Sequence, residues 1–325
     1  MFKSSKFLLS TAALFGASVA MAAPVSLGEA SQYNLVSFGD FASKGTSIGG
    51  SVAVAGDFAA SSYGLNGKNL VVGGDLNFSS GSIAGNAYVG GTRTTSSMSI
   101  GGQWLSGDAP LGFASLAKEL GGLSHDLAGI ATTGSSQYQW GGLQLTGTNS
   151  AVEIFNLSAS TLASTNWNNK SNLASGSTLI FNIGGTSVNL SGGLFDGMGS
   201  YNVLLNFYEA QTITFNGMGI EASILAPTAT VLGGNGQING NVVVGDWQSS
   251  IALLGSRSFQ TTEVAGYVLP EPIQPARPVL VPPLDAGLDD PQSSEVPEPA
   301  QLALFAVGLA LLGVTRRKQL RAQRG

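Results

Sequence analysis

From Tyr33 onward, short apolar runs recur, each closed by glycine and aspartate and then by an aromatic or apolar residue. The first copy reads Leu35-Val36-Ser37-Phe38-Gly39-Asp40-Phe41 and the second Val52-Ala53-Val54-Ala55-Gly56-Asp57-Phe58. Leu70-Val71-Val72-Gly73-Gly74-Asp75-Leu76 is the third, Ala87-Tyr88-Val89-Gly90-Gly91-Thr92-Arg93 a weaker fourth, and Val242-Val243-Val244-Gly245-Asp246-Trp247 a late copy far downstream. The marker glycines at 39, 56, 74 and 91 are 17, 18 and 17 residues apart. A companion frame precedes several strands, in residues 47–52, 82–87 and 237–242. Short strands at a fixed period, punctuated by glycine and asparagine, are what a β-solenoid requires. Inward apolar residues then stack from coil to coil, and Gly or Asn supplies corners with positive φ. A coil of this length divides into three faces of about 5–6 residues. A sandwich of hairpins, with turn signals every ~8–12 residues, is the competing fold. The expected class is mainly β: a solenoid with one accompanying helix and a hydrophobic helix at the C-terminus.

The accompanying helix is placed around residues 109–131. Phe113, Leu116, Leu120, Leu123, Leu127 and Ile130 follow one another at helical spacing on one face. Asp108 is the expected cap with Pro110 in the first turn, and Gly121-Gly122 is expected to weaken the helix and split it in two. The apolar stripe is expected against the side of the solenoid or over an open end, where unpaired strands invite aggregation.

The two ends carry a different pattern. Lys3 and Lys6 precede an apolar stretch over residues 7–20 and then Ala20-Met21-Ala22, the three parts of a secretory signal peptide over 1–22, with cleavage after Ala22. The stretch is short for a first membrane span, which needs about 20 residues. At the other end, Val296-Pro297-Glu298-Pro299 is followed by apolar residues 300–314 and by Arg316-Arg317-Lys318. This order resembles the PEP-CTERM sorting signal of Gram-negative bacteria, here over 296–325. The resemblance implies recognition by an exosortase, processing near the Pro-Glu-Pro motif and delivery to the cell surface or extracellular matrix. Residues 300–314 would then be a transient inner-membrane anchor with the basic tail on the cytoplasmic side; a plain tail anchor is the alternative. Pro270-Glu271-Pro272 repeats the tripeptide with no apolar helix behind it. Nine of the twelve prolines fall between Pro270 and Pro299, so residues 265–295 read as an extended spacer between the anchor and a body over 23–264.

Composition narrows the chemistry of that body. It holds only 6 basic and 13 acidic residues, and the whole chain has no cysteine and one histidine. Disulfides, thiolate metal sites and cysteine nucleophiles are excluded, as is a Ser-His-Asp triad not built on His125. His125 falls opposite the apolar stripe and reads as a solvated residue. An acidic body without a basic patch excludes nucleic acid. No cofactor is expected. Asp57 and Asp75, at equivalent repeat positions, are either turn residues or weak candidates for a Ca²⁺ column. Glu153, Asp196, Glu209 and Glu221 are isolated carboxylates that keep open a β-helical polysaccharide-active enzyme working with two acids. Thr212-Ile213-Thr214 and Thr228-Ala229-Thr230 have the spacing of outward pairs on a strand, which keeps open an ice-binding role.

Residues 33–41 also resemble the opening of the choice-of-anchor A domain, and residues 204–210 and 223–229, followed by Ile238-Asn239-Gly240, resemble its closing motifs. The resemblance covers roughly residues 27–250 and brings no catalytic residue; it implies an adhesive domain carried by a surface anchor. The function expected is therefore that of a non-enzymatic exported protein of the surface or matrix, adhesive or biofilm-structural. Its partners would be signal peptidase and exosortase during export, and extracellular polysaccharide or surface glycans afterwards.

Overall fold

The computed structural model describes residues 22–269. The signal-peptide residues through Met21, including Ala20, lie outside the described residues. So do residues 270–295 of the expected 265–295 spacer and the whole of 296–325, with Val296, Pro297, Glu298, Pro299, the expected 300–314 helix and Arg316, Arg317 and Lys318. Of the spacer's described residues, Ala265 ends the strand Thr262–Ala265 and Tyr267 is buried. Among the described residues, no helix is long and apolar enough to cross a membrane.

The body is mainly β, with parallel coils in a β-helix-like stack. One 19-stranded sheet runs around it, and its strands divide into three faces. On the first face, Leu35–Ser37, Val52–Val54, Asn69–Val72, Asn86–Val89 and Trp104–Leu105 pair in parallel, each with the strand one coil on. The second face carries Phe41–Lys44, Phe58–Ser61, Leu76–Ile83 and Arg93–Ile100. The third carries Ser47–Ile48, Gly64–Leu65 and the ends of the two long strands. Equivalent residues in successive coils are 17 or 18 apart, as the repeat requires.

The order of the coils is not the order of the sequence. Val242–Ser249 pairs in parallel with Leu35–Ser37, so the late copy of the repeat lies directly against the first. The chain enters the stack in its middle and winds outward to Trp104–Leu105. It then starts again at the opposite end with Val152–Ser158, and returns through Thr178–Gly184, Asn202–Asn206 and Ser223–Ile238 to the middle. The connection between the two ends runs along the first face, and the helix Phe113–Ala128, here α1, makes up part of it. Sixteen residues at 1.5 Å each make a rod of about 24 Å, the width of about five strands.

This explains why first-face strands read as unbroken apolar runs. Leu35, Val52 and Val54 point into the coil, while Val36, Ala53, Val71, Ile180, Leu204, Leu225 and Val243 point outward and are buried with Leu116, Leu120, Leu123 and Leu127. A parallel strand covered on both faces loses the polar-apolar alternation. Two asparagines fix the C-terminal half of α1: Asn182 Nδ2 donates to the Leu127 carbonyl at 2.7 Å and Asn206 Nδ2 to that of Ser124 at 2.8 Å. Asn206 Oδ1 in turn accepts from the Ser124 hydroxyl at 2.6 Å.

The helix differs from expectation at two points. It begins at Phe113 behind Gly112, with no side-chain cap, rather than at Asp108. Leu111 is buried against the first face, so the chain docks before it coils. Gly121-Gly122 does not split it, because the buried stripe continues on both sides at Leu120 and Leu123. A Cβ at either glycine would meet nothing within 4 Å. Replacing Gly122, which is exposed, by alanine should therefore raise stability by about 1 kcal/mol through helix propensity, read as an increase in the thermal midpoint.

Inside the coil, aromatic rings stack in register. Phe41 and Phe58 lie 4.4 Å apart at 3°, and Phe58 meets Phe78 edge-on at 6.0 Å. Phe58→Ala should cost about 3–5 kcal/mol, seen as a drop in the denaturant midpoint.

Candidate functional site

At the corner between the first and second faces the aspartates form a column. Asp246 Oδ1 accepts from the Asp40 N–H at 2.8 Å, Asp40 Oδ1 from Asp57 N–H at 2.9 Å, Asp57 Oδ1 from Asp75 N–H at 2.8 Å, and Asp75 Oδ1 from Thr92 N–H at 2.7 Å. Each carboxylate thus ties its coil to the next. The backbone and hydroxyl hydrogen bonds of Thr92 hold the Asp75 carboxyl below its ordinary pKa, against a small opposing effect of desolvation. Asp57 and Asp75 are linked as turn residues through one oxygen each. Among the described residues, no group of three or more His, Asp or Glu is placed to hold a metal ion.

The glycine before each aspartate has a reason other than the expected one. Gly39, Gly56, Gly74 and Gly245 are absent from the residues with positive φ, as is Gly91 before Thr92. A Cβ on Gly56 would instead lie 2.2 Å from Asp40 Oδ1, and one on Gly74 would lie 2.3 Å from Asp57 Oδ1. The carboxylate of one coil occupies the space where the next coil would carry a side chain. The left-handed corner, between the second and third faces, is taken by Gly45, Ser62, Ser80 and Ser97. Asp57→Asn keeps the acceptor and should be near neutral, whereas Asp57→Ala should cost about 1 kcal/mol and Gly74→Ala about 1–3 kcal/mol by overpacking. Thermal unfolding of the three variants checks the order.

The second face is the broad open one. Its outward middle column runs Asn189, Thr214, Leu232, Gln248, Ala42, Ala59, Asn77 and Thr94 from coil to coil. Around Ala42 and Ala59 the face is a shallow hollow of about 500 Å³, edged by Lys44, Ser61, Ser79 and Gln248. Thr212 pairs with Thr230 across coils. Thr214 stands beside Leu232, however, and the Thr228 hydroxyl donates to the Ala210 carbonyl at 3.0 Å. The two Thr-x-Thr pairs do not stack into a ladder.

The four carboxylates lie in four different loops or strand ends. Glu209 Oε2 accepts from Gly185 N–H at 2.9 Å. Asp196 lies in the loop after Ser187–Ser191, and Glu221 lines a hollow with Arg257. Glu153 is 0% exposed in the end coil. It accepts from the Thr133 hydroxyl at 2.8 Å, from Thr148 N–H and hydroxyl at 2.6 and 2.9 Å, and from Ser150 N–H at 3.1 Å. Burial alone would raise its pKa, but these hydrogen bonds outweigh it and hold the carboxyl below the ordinary value of 4.5. Its contribution is then present above that value and lost as pH falls through the lower native pKa. Glu153→Gln should destabilise by about 1–3 kcal/mol at neutral pH and flatten the loss of thermal stability below pH ~4.5. His125 is exposed on α1. Three exposed aromatics, Tyr138, Trp140 and Trp167, were not singled out in the sequence; the signal was the aromatic Tyr138-Gln139-Trp140 immediately before Gly141-Gly142.

Comparison with known proteins adds two findings. The PEP-CTERM protein-sorting motif matches residues 295–319, over the three-part C-terminal signal. Comparison with curated proteins and with solved structures gives no match. A protein-family match covers residues 26–253, nearly all of the coiled body, and by it the chain belongs to the family described as Putative Ice-binding-like adhesive domain.

Proposed function

We propose that this chain is a non-enzymatic adhesin or matrix component, exported, processed by an exosortase at Pro297-Glu298-Pro299 and retained at the surface or in the extracellular matrix. The observation that carries it is the union, on one chain, of an adhesive domain over 26–253 and a sorting motif over 295–319. Within this reading, signal peptidase removes residues 1–22, the proline-rich segment holds the body away from the membrane, and residues 300–314 anchor it only until processing. The body is of the choice-of-anchor A kind, and its partners are extracellular polysaccharide or surface glycans.

The non-enzymatic part draws support from how the acids are used. The Glu153 carboxylate holds two backbone N–H groups of its own loop, and that of Glu209 holds the Gly185 N–H of the neighbouring coil. An ice-binding role has the open second face in its favour, but among the described residues its threonines pair with each other only at Thr212 and Thr230.

Deleting residues 296–325 should move the protein from the cell surface to the medium or strand it unprocessed in the envelope. Fractionation and immunoblotting read this directly, and an unchanged surface fraction in the deletion strain overturns the sorting claim.

A further inference from the structure

The end of the stack where Val152–Ser158 lies carries a separate three-stranded sheet, Ser135–Gln139, Gly142–Thr146 and Trp167–Ser171. Leu143 and Leu145 of its middle strand are buried in the coil core, so the alternate residues face outward. The pairing puts those residues in rows. Gly142 stands beside Trp167, then Gln137, Gln144 and Asn169 form an amide row, then Thr146 stands beside Ser171. None of these outward residues is charged.

The tryptophans are held in an unusual way. The benzene side of the Trp167 indole lies where a Cβ on Gly142 would be, 2.2 Å from its Cε2, and Trp167 remains 41% exposed. Trp140 occupies the two-residue hairpin turn with Gly141, at φ +51° and +78°. A turn with positive φ at both positions favours Asn-Gly, and a bulky side chain there is an outlier. Packing does not explain it, because Trp140 is 82% exposed. Asn166 N–H donates to the Gly141 carbonyl at 3.1 Å, so the turn and the start of the Trp167 strand meet at one end of the sheet. Strain at an exposed aromatic points to a use outside the fold.

The neighbouring polar groups give that use a chemistry. Asn169 Nδ2 donates to Gln144 Oε1 at 3.0 Å, which leaves the Gln144 amide donors and the Asn169 carbonyl oxygen on the outward face. Aromatic rings that offer an apolar surface, beside amides and hydroxyls that both donate and accept, suit a ligand with C–H faces and many hydroxyls. The lack of charge selects a neutral one. We propose that this end sheet binds a neutral polysaccharide, with Trp140 and Trp167 stacking on sugar rings and the amide row bonding their hydroxyls. The proposal rests on the adhesive reading above and assigns it a site.

The test uses the full chain in mild detergent, run by affinity electrophoresis through gels containing xylan, hydroxyethyl cellulose or galactomannan, with alginate as the charged control. At least one neutral gel should retard the protein. Trp140→Asn should weaken that binding tenfold or more while the thermal midpoint stays equal or rises, since asparagine suits the turn. Trp167→Ala should weaken it similarly, and Trp167→Phe less. Retardation only by alginate, by no gel at all, or equally in a Trp140→Asn/Trp167→Ala double variant overturns the proposal. Attachment of cells to polysaccharide-coated surfaces separates the two readings. If cells need this protein to attach but the double variant attaches normally, the site falls and the adhesive reading stands. If cells lacking the protein attach as well as the wild type, the adhesive reading itself fails.

Discussion

The ladder between Val242–Val244 and Leu35–Ser37 is the contact on which the rest of the structure depends. Each half of the chain, wound alone, would end in a parallel edge with unsatisfied backbone groups, and such an edge recruits other strands. Here the two edges satisfy each other in the middle of the stack. The seam has the same parts as any other coil boundary: Asp246 accepts from Asp40 N–H, Asn34 Nδ2 donates to the Gly240 carbonyl at 2.6 Å, and Trp247 stands in register with Phe41. Because the seam is chemically ordinary, the core passes through it without interruption, from the Phe155–Phe181 stack at one end to Phe41 and Phe58 beyond the seam.

A seam in the middle forces the connection to travel the length of the stack, and this in turn divides the surface. A helix crosses several strands with its backbone groups paired within itself, and α1 makes up part of this crossing. Its apolar stripe then requires an apolar first face, and Asn182 and Asn206 secure the carbonyls near its C-terminal end. The second face has no such cover and carries mainly polar or small residues instead. With 19 charged residues over 23–264, that surface is wetted mainly by hydroxyls, amides and backbone.

The period of the coils was legible in the sequence because stacking makes every coil repeat the same constraints. The helix was legible for a similar reason: its stripe at 113, 116, 120, 123, 127 and 130 answers a flat apolar surface. The order of the coils was not legible. Residues 242–247 resemble 35–41 and 52–58 alike, and any similar coil could stack on any other; only the spatial pairing tells which does. The glycine before each aspartate was visible, but its cause lay in a neighbour 17 or 18 residues away. The exposed tryptophans gave no periodic signal, since they lie where the repeat has stopped. The expected helix start at Asp108 followed local capping chemistry, and the burial of Leu111 overrode it.

The same logic separates the interior of the stack from its ends. An inner coil has neighbours on both sides, so its corner positions are dictated twice: Gly56 must leave room for Asp40, while Asp57 must reach Asp75 N–H. Little sequence freedom remains there for individual chemistry. An end coil has one neighbour and correspondingly more freedom. At one end Arg93 lies over the Trp104 ring at 4.1 Å; at the other the buried Glu153 organises the loop at 148–150, and the small sheet with Trp140 and Trp167 forms part of the wall. A domain without disulfides, exported to a place that would permit them, gains its rigidity from the repetitive middle. That rigidity allows a strained aromatic turn to persist at the end, because the cost is borne by a scaffold whose stability comes from elsewhere.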